Sequence, residues 1–191
     1  MSAAHGTHWS TDDILKATGG HPLTPCGARV FTDIAIDSRD ISPDALFVAI
    51  RGTVHDGHGF VADVVAKGVK GLVIETGRSL DPTLSALADN GVTVIGVVDT
   101  TTALGDLAAY HRRRMPAAVA AITGANGKTT TRAMTAAVLE RHLPTLATPG
   151  NRNNQIGLPL TLLKLKAHHR WAVLELGMNH PGEIRYLGGI A

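Results

Sequence analysis

The chain has 191 residues, 44% of them hydrophobic, 18% charged and 4% aromatic, with a formal net charge of +2. That composition excludes wholesale disorder, and so small a net charge gives no argument for a nucleic-acid partner. No apolar run approaches the roughly 20 residues that cross a bilayer, and a single cysteine, Cys26, excludes a disulfide framework and a zinc cluster. Met1 to Ser10 has no apolar stretch and is not read as a signal peptide.

In chain order, Ser10-Thr11-Asp12-Asp13 reads as a capped helix start and Gly19-Gly20 as its end. Val30 to Ile36 predicts one strand and Ala45 to Ile50 a second apolar run. Phe60 to Lys67 predicts a helix with Gly68 in the left-handed position after it. Gly71 to Ile74 and Val92 to Val98 are buried-type strands, with a helix over Leu80 to Asn90 between them. Thr101 to Arg114 predicts a helix stopped by Met115-Pro116. Beyond it come a strand over Ala117 to Thr123, a helix over Lys128 to Leu143, a third strand candidate at Thr145 to Thr148, a helix over Leu158 to Lys166 and a strand over Trp171 to Leu176. Gly188-Gly189-Ile190-Ala191 is read as carrying no terminating helix. Alternating strand and helix give an α/β fold. Two parts are expected, Met1–Met115 and Pro116–Ala191, the second with few strands for a parallel sheet, as if it were the start of a longer domain.

Charge is split between these parts. The first has 10 Lys/Arg against 13 Asp/Glu, a net of −3; the second has 8 against 3, a net of +5. A basic part suits an anionic ligand, although charge alone is explained as well by solvated side chains.

The strongest local pattern is Ile122-Thr123-Gly124-Ala125-Asn126-Gly127-Lys128-Thr129-Thr130, where an apolar strand enters a glycine-rich turn and then a helix. Such a turn wraps backbone N–H groups around phosphate oxygens at a helix N-terminus. Lys128 is placed for β/γ-phosphates and the Thr129 hydroxyl for Mg²⁺. Only two residues separate Gly124 from Gly127-Lys128, where the standard phosphate-loop spacing has four. A turn shaped merely for helix entry does not explain the Lys and the three Thr that follow.

Glu175 ends a buried-type strand, where a carboxylate needs a partner or a metal, and beside Lys128 and Thr129 it reads as a second Mg²⁺ ligand. Thr148 to Pro159 carries Asn151, Asn153, Asn154 and Gln155, donors and acceptors for a polar ligand that are equally at home in a plain turn. Ser38 and Arg39 follow a strand and suit a diphosphate or a uracil edge. His55-Asp56-Gly57-His58 is read as a capped turn in preference to a metal site, and His168, His169 and His180 lack partners at ligand spacing.

The order of these motifs resembles the Mur ligases, ATP-dependent amide-forming enzymes of peptidoglycan synthesis. Asp37-Ser38-Arg39, Leu46 to Gly52 and His55 to His58 resemble their UDP-binding N-terminal domain. Thr123 to Thr129 resembles their ATP loop, short glycine spacing included. Gly150 to Leu163 and Glu175 to Ile184 are similar to the branch that joins D-alanyl-D-alanine to UDP-N-acetylmuramoyl-tripeptide.

The resemblance implies a small UDP-binding α/β domain followed by the start of a P-loop-type ATP-binding α/β domain. Its cofactors are ATP and Mg²⁺, and its substrates UDP-N-acetylmuramoyl-tripeptide and D-alanyl-D-alanine. A cytoplasmic monomer is expected, with no nucleic acid and no membrane insertion. Gly124, Ala125, Asn126, Gly127, Lys128, Thr129 and Thr130 are expected to hold the nucleotide phosphates, Lys128 catalytically, with Thr129 and Glu175 on the metal. Ser38, Arg39, Asn153 and Asn154 are expected on the substrate side. Members of the family continue beyond the matching region with further metal ligands and a third domain, so these 191 residues alone are expected not to ligate. The competing readings are the related ligase that adds the third peptide residue, a folylpolyglutamate synthase, a cell-wall amidating subunit, and a non-catalytic nucleotide or UDP-sugar binding module.

Overall fold

The structure is a computed structural model and describes residues 8–52 and 54–191. The reading of the N-terminal stretch as lacking a signal peptide falls largely on residues 1–7, outside the described residues.

The elements run β1 (Trp9–Ser10), α1 (Thr11–Thr18), β2 (His21–Pro22), β3 (Val30–Phe31), β4 (Asp33–Ala35), β5 (Ala45–Val48), a 3₁₀ turn (Gly57–Phe60), α2 (Val61–Ala66), β6 (Gly71–Glu75), α3 (Leu84–Asp89), β7 (Thr93–Val97) and α4 (Thr100–Arg113). They continue as β8 (Ala118–Ile122), α5 (Lys128–Glu140), β9 (Thr145–Ala147), α6 (Gly157–Leu162), β10 (Trp171–Glu175) and α7 (Glu183–Ile190). Two compact units result, residues 1–103 and 104–191, so α4 begins in the first and ends in the second. The reason lies in its apolar face, because Ala108 and Ala109 belong to the buried cluster of the second unit.

In the first unit, β4, β5, β6 and β7 pair parallel in sequential order, with β2 antiparallel on the outer side of β7. The core is built on Phe47, Leu72, Ile74 and Val94 of the sheet against Val61 and Val64 of α2 and Leu87 of α3. The single strand expected over Val30 to Ile36 is instead two strands in two sheets. β3 pairs with β1, whereas β4 joins β5. Between them Thr32 N–H donates to the Asp44 carbonyl and the chain bends. The α1 start is as expected: Ser10 and Asp13 form a reciprocal capping box, and Gly19 closes the helix at φ +62°. The helix expected from Leu80 begins only at Leu84, where the Thr83 hydroxyl takes the Ala86 N–H.

In the second unit three parallel strands run in the order β8-β10-β9, so the last strand in sequence is the middle one. That placement buries β10 almost throughout, while the flanking β8 stays partly open. Leu158 and Leu162 of α6 and Leu187 and Ile190 of α7 pack with Ala172 and Leu174 of β10. Helix α7 corrects the expectation that Gly188-Gly189 leaves no terminal helix. Ile184, Leu187 and Ile190 recur at helical spacing, and their burial outweighs two poor helix formers. Among the described residues no helix is long and apolar enough to cross a membrane.

His111 of α4 is 1% exposed and its Nε2–H donates to the Leu165 carbonyl. Burial pushes its pKa below the ordinary histidine value. The unfolded chain therefore binds this proton more readily than the folded one, and stability contributed by neutral His111 is lost as pH falls from about 6.5 toward the folded value. Denaturation measured across that range should show the second unit weakening, and His111→Gln should flatten the dependence.

Candidate functional site

The carboxyl ends of the three strands in the second unit converge, the position at which parallel α/β sheets place ligands. Glu175 pairs in register with Ile122, and beyond the strands the ladder continues through Leu176 N–H to the Ile122 carbonyl at 2.9 Å. The Thr123 hydroxyl then donates to the Leu176 carbonyl at 3.0 Å. The glycine-rich turn thus starts two residues past the partner of the buried carboxylate.

The turn from Gly124 to Gly127 is exposed, and Gly127 has φ +78°, a conformation that a side chain disfavours. It is the N-cap of α5, and among the described residues no side chain caps that end. The first N–H groups of the helix point their partial positive charge toward the turn, as a phosphate site requires. Lys128 curls back, Nζ donating to the carbonyls of Gly124 at 2.6 Å and Ala125 at 3.3 Å. Ala125, Asn126, Thr129 and Thr130 lie exposed around the same turn.

Glu175 is 2% exposed. Its backbone N–H donates to the Thr148 hydroxyl at 3.0 Å, which ties β10 to the end of β9. Oε1 accepts from Asn153 Nδ2 at 2.8 Å, and Oε2 lies 3.3 Å from Arg132 Nε without a hydrogen bond. A buried, unbonded carboxylate oxygen together with the exposed Thr129 hydroxyl suits a hard divalent cation. Among the described residues no group of three or more His, Cys, Asp or Glu could hold a metal. A Mg²⁺ here would complete its shell with phosphate oxygens and water, its usual habit.

Asn153 and Asn154, expected near substrate, are engaged within the protein. Asn153 holds Glu175, and its carbonyl accepts from Gly177 N–H at 2.8 Å. Asn154 Oδ1 accepts from the Ile156 and Gly157 N–H groups and so starts α6. A Cβ on Gly177 would lie 2.7 Å from Asn153 Cγ. Gly177→Ala is expected to push Asn153 off Glu175 and to destabilise by about 1–3 kcal/mol, seen as a lower denaturation midpoint.

Ser38 and Arg39 lie at the carboxyl edge of the other sheet, in the first unit. Arg39 forks onto Asp37 at 2.9 and 2.7 Å and holds that carboxyl well below the usual range. Lys67 Nζ donates to the Ser38 and Arg39 carbonyls at 2.7 and 3.1 Å. His58 is spent on structure, its Nδ1 at 2.6 Å from Asp56 and its Nε2 accepting from Glu75 N–H, which agrees with the capped turn read from sequence. Sequence reasoning missed Arg132, Thr148 and Lys67. Arg132 stands one helical turn after Lys128, a spacing that puts both on one side of α5.

A model of the Mur ligase catalytic domain matches residues 30–112, and one of the Mur ligase middle domain matches residues 122–191. The chain belongs to the Mur ligase family. Among relatives of this family, the UDP-N-acetylmuramoyl-tripeptide–D-alanyl-D-alanine ligase of Escherichia coli (strain K12) is 43% identical over 161 residues, 84% of this chain and 33% of that protein. The ligase of the same name from Bacillus subtilis (strain 168) is 38% identical over 179 residues, 94% of this chain and 37% of that protein. The chain thus spans between a third and two fifths of the length of such relatives.

Among solved Mur ligase structures, MurF from Acinetobacter baumannii superposes with a TM-score of 0.84 at 38% identity, over 96% of this chain and 39% of that one. MurF from Thermotoga maritima, in complex with ADP, gives 0.72 at 28% identity, over 83% and 35%. The mixed α/β architecture agrees with that expected from the family resemblance.

Proposed function

We propose that this Mur ligase chain supplies the nucleotide-phosphate site and the UDP-binding part of an ATP-dependent ligase that joins D-alanyl-D-alanine to UDP-N-acetylmuramoyl-tripeptide. The observation that carries the reading is the buried Glu175 carboxylate, set in register beside the strand that feeds the glycine-rich turn. The names of the relatives and the ADP in one of the similar structures support it.

In this reading ATP phosphorylates the terminal carboxylate of the tripeptide, and the dipeptide amine displaces phosphate from the resulting acyl phosphate to leave an amide. Such chemistry is mostly positioning and charge neutralisation. The amides of Gly124 to Thr130 cradle the β- and γ-phosphates. Lys128 leaves the carbonyls of Gly124 and Ala125 to reach them. Thr129 and Glu175 would hold Mg²⁺, whose charge offsets that of the phosphates. Ser38 and Arg39 take the UDP moiety, for which the Arg39 guanidinium must share or release Asp37. Asn153 and Asn154 shape the site from behind. The protein is proposed to act as a monomer in the cytoplasm.

Thermal shift of the 191-residue chain with UDP and with MgADP, singly and together, tests both halves. Each ligand is expected to stabilise, and Arg39→Ala to remove the UDP effect alone. No response to either ligand overturns the proposal.

A further inference from the structure

One mostly buried charged group in the second unit is not among those proposed to hold phosphate: the Arg132 guanidinium. Its side chain is 13% exposed and stands against a Glu175 side chain that is 3% exposed. Nη1 donates to the Thr148 carbonyl, which fastens the guanidinium to the end of β9. Nε lies 3.3 Å from Glu175 Oε2, yet among the described residues neither atom has a hydrogen-bond partner. Glu175 Oε1, in contrast, accepts from Asn153 Nδ2 at 2.8 Å.

The two oxygens of one carboxylate are therefore used differently. Oε1 is bonded to a neutral amide; Oε2 is neutralised by a nearby charge that leaves its lone pairs unspent. A buried carboxylate with no cation beside it is strongly unfavourable, whereas one gripped by a full arginine fork has little left for a metal. Arg132 meets the first requirement, and its attachment to Thr148 keeps it from the second arrangement.

We propose that Arg132 is a positioning residue for Glu175: anchored on the Thr148 carbonyl, it neutralises the buried carboxylate while leaving Oε2 open to a divalent cation. The inference rests on the reading of Glu175 as a Mg²⁺ ligand. Groups behind a metal ligand commonly alter metal affinity by about 10- to 100-fold when removed.

The test is calorimetric titration of ADP into the 191-residue chain, in EDTA and across a Mg²⁺ series, with Mn²⁺ replacing Mg²⁺ for an EPR signal of the bound ion. Arg132→Gln should raise the Mg²⁺ concentration that half-saturates the gain in ADP affinity by about tenfold or more, broaden the Mn²⁺ signal, and leave metal-free ADP binding unchanged. Arg132→Lys, which keeps the charge, should restore most of the Mg²⁺ response. In a Glu175→Gln background, Arg132→Gln should add nothing further.

An unchanged Mg²⁺ response in Arg132→Gln, or an equal loss of metal-free binding, overturns the inference while leaving Glu175 as a ligand. A full Mg²⁺ response in Glu175→Gln overturns the ligand reading itself. Should Arg132→Gln fail to fold, the double variant lacking both charges decides. Its folding supports charge neutralisation as the role, and its failure to fold makes Arg132 a structural residue and overturns the inference.

Discussion

Lys128→Ala is expected to weaken ADP binding by about 10- to 100-fold, the loss of a charge-assisted contact to phosphate worth roughly 1.5–3 kcal/mol. The fold should barely register the change. Among the described residues Lys128 Nζ bonds to two carbonyls of an exposed turn, and the backbone of that turn is held elsewhere, by the ladder through Leu176 and by the Thr123 hydroxyl. Calorimetry with ADP gives the affinity, and a denaturant midpoint unchanged from the wild type separates lost binding from lost structure. Unchanged affinity would mean that the loop holds something other than a nucleotide phosphate.

Glu175→Ala should act in the opposite way, through stability as well as binding. Removing the carboxylate leaves the Arg132 guanidinium buried without its counter-charge and Asn153 Nδ2 without its acceptor. Breaking a buried pair from one side typically destabilises by about 3–5 kcal/mol, a large share of the stability of a unit this size. Glu175→Gln keeps the shape and Oε1, so it should be milder in denaturation while still losing the response to Mg²⁺. Equal midpoints for the wild type and the alanine variant would contradict the burial and pairing described for this group.

Which features were legible in the amino-acid order follows from their physical range. The glycine-rich turn and the helix start at Lys128 are legible because the glycines are local and have a stereochemical reason to be there. The Ser10 cap and the Gly19 end of α1 were readable for the same reason. Glu175 stood out because a carboxylate ending an apolar strand is anomalous by itself.

What failed was long-range. Nothing local shows that Val30 and Asp33 belong to different sheets, since that depends on strands recruited from Trp9 and Ala45. The Gly188-Gly189 pair hid α7 because its helicity comes from the burial of Leu187 and Ile190. The bond from Asn153 to Glu175 depends on the three-dimensional register and has no local signal. Arg132 offered a one-turn spacing from Lys128, but its carboxylate partner lies 43 residues later in the chain.

The central claim is that the turn from Gly124 to Thr130 and the buried Glu175 together form one Mg²⁺-dependent nucleotide site. Titration of ADP into the wild-type chain, with and without Mg²⁺, tests it most directly. Saturable one-to-one binding that tightens when Mg²⁺ is added is the expected result. Binding indifferent to Mg²⁺, or no binding at all, would contradict it.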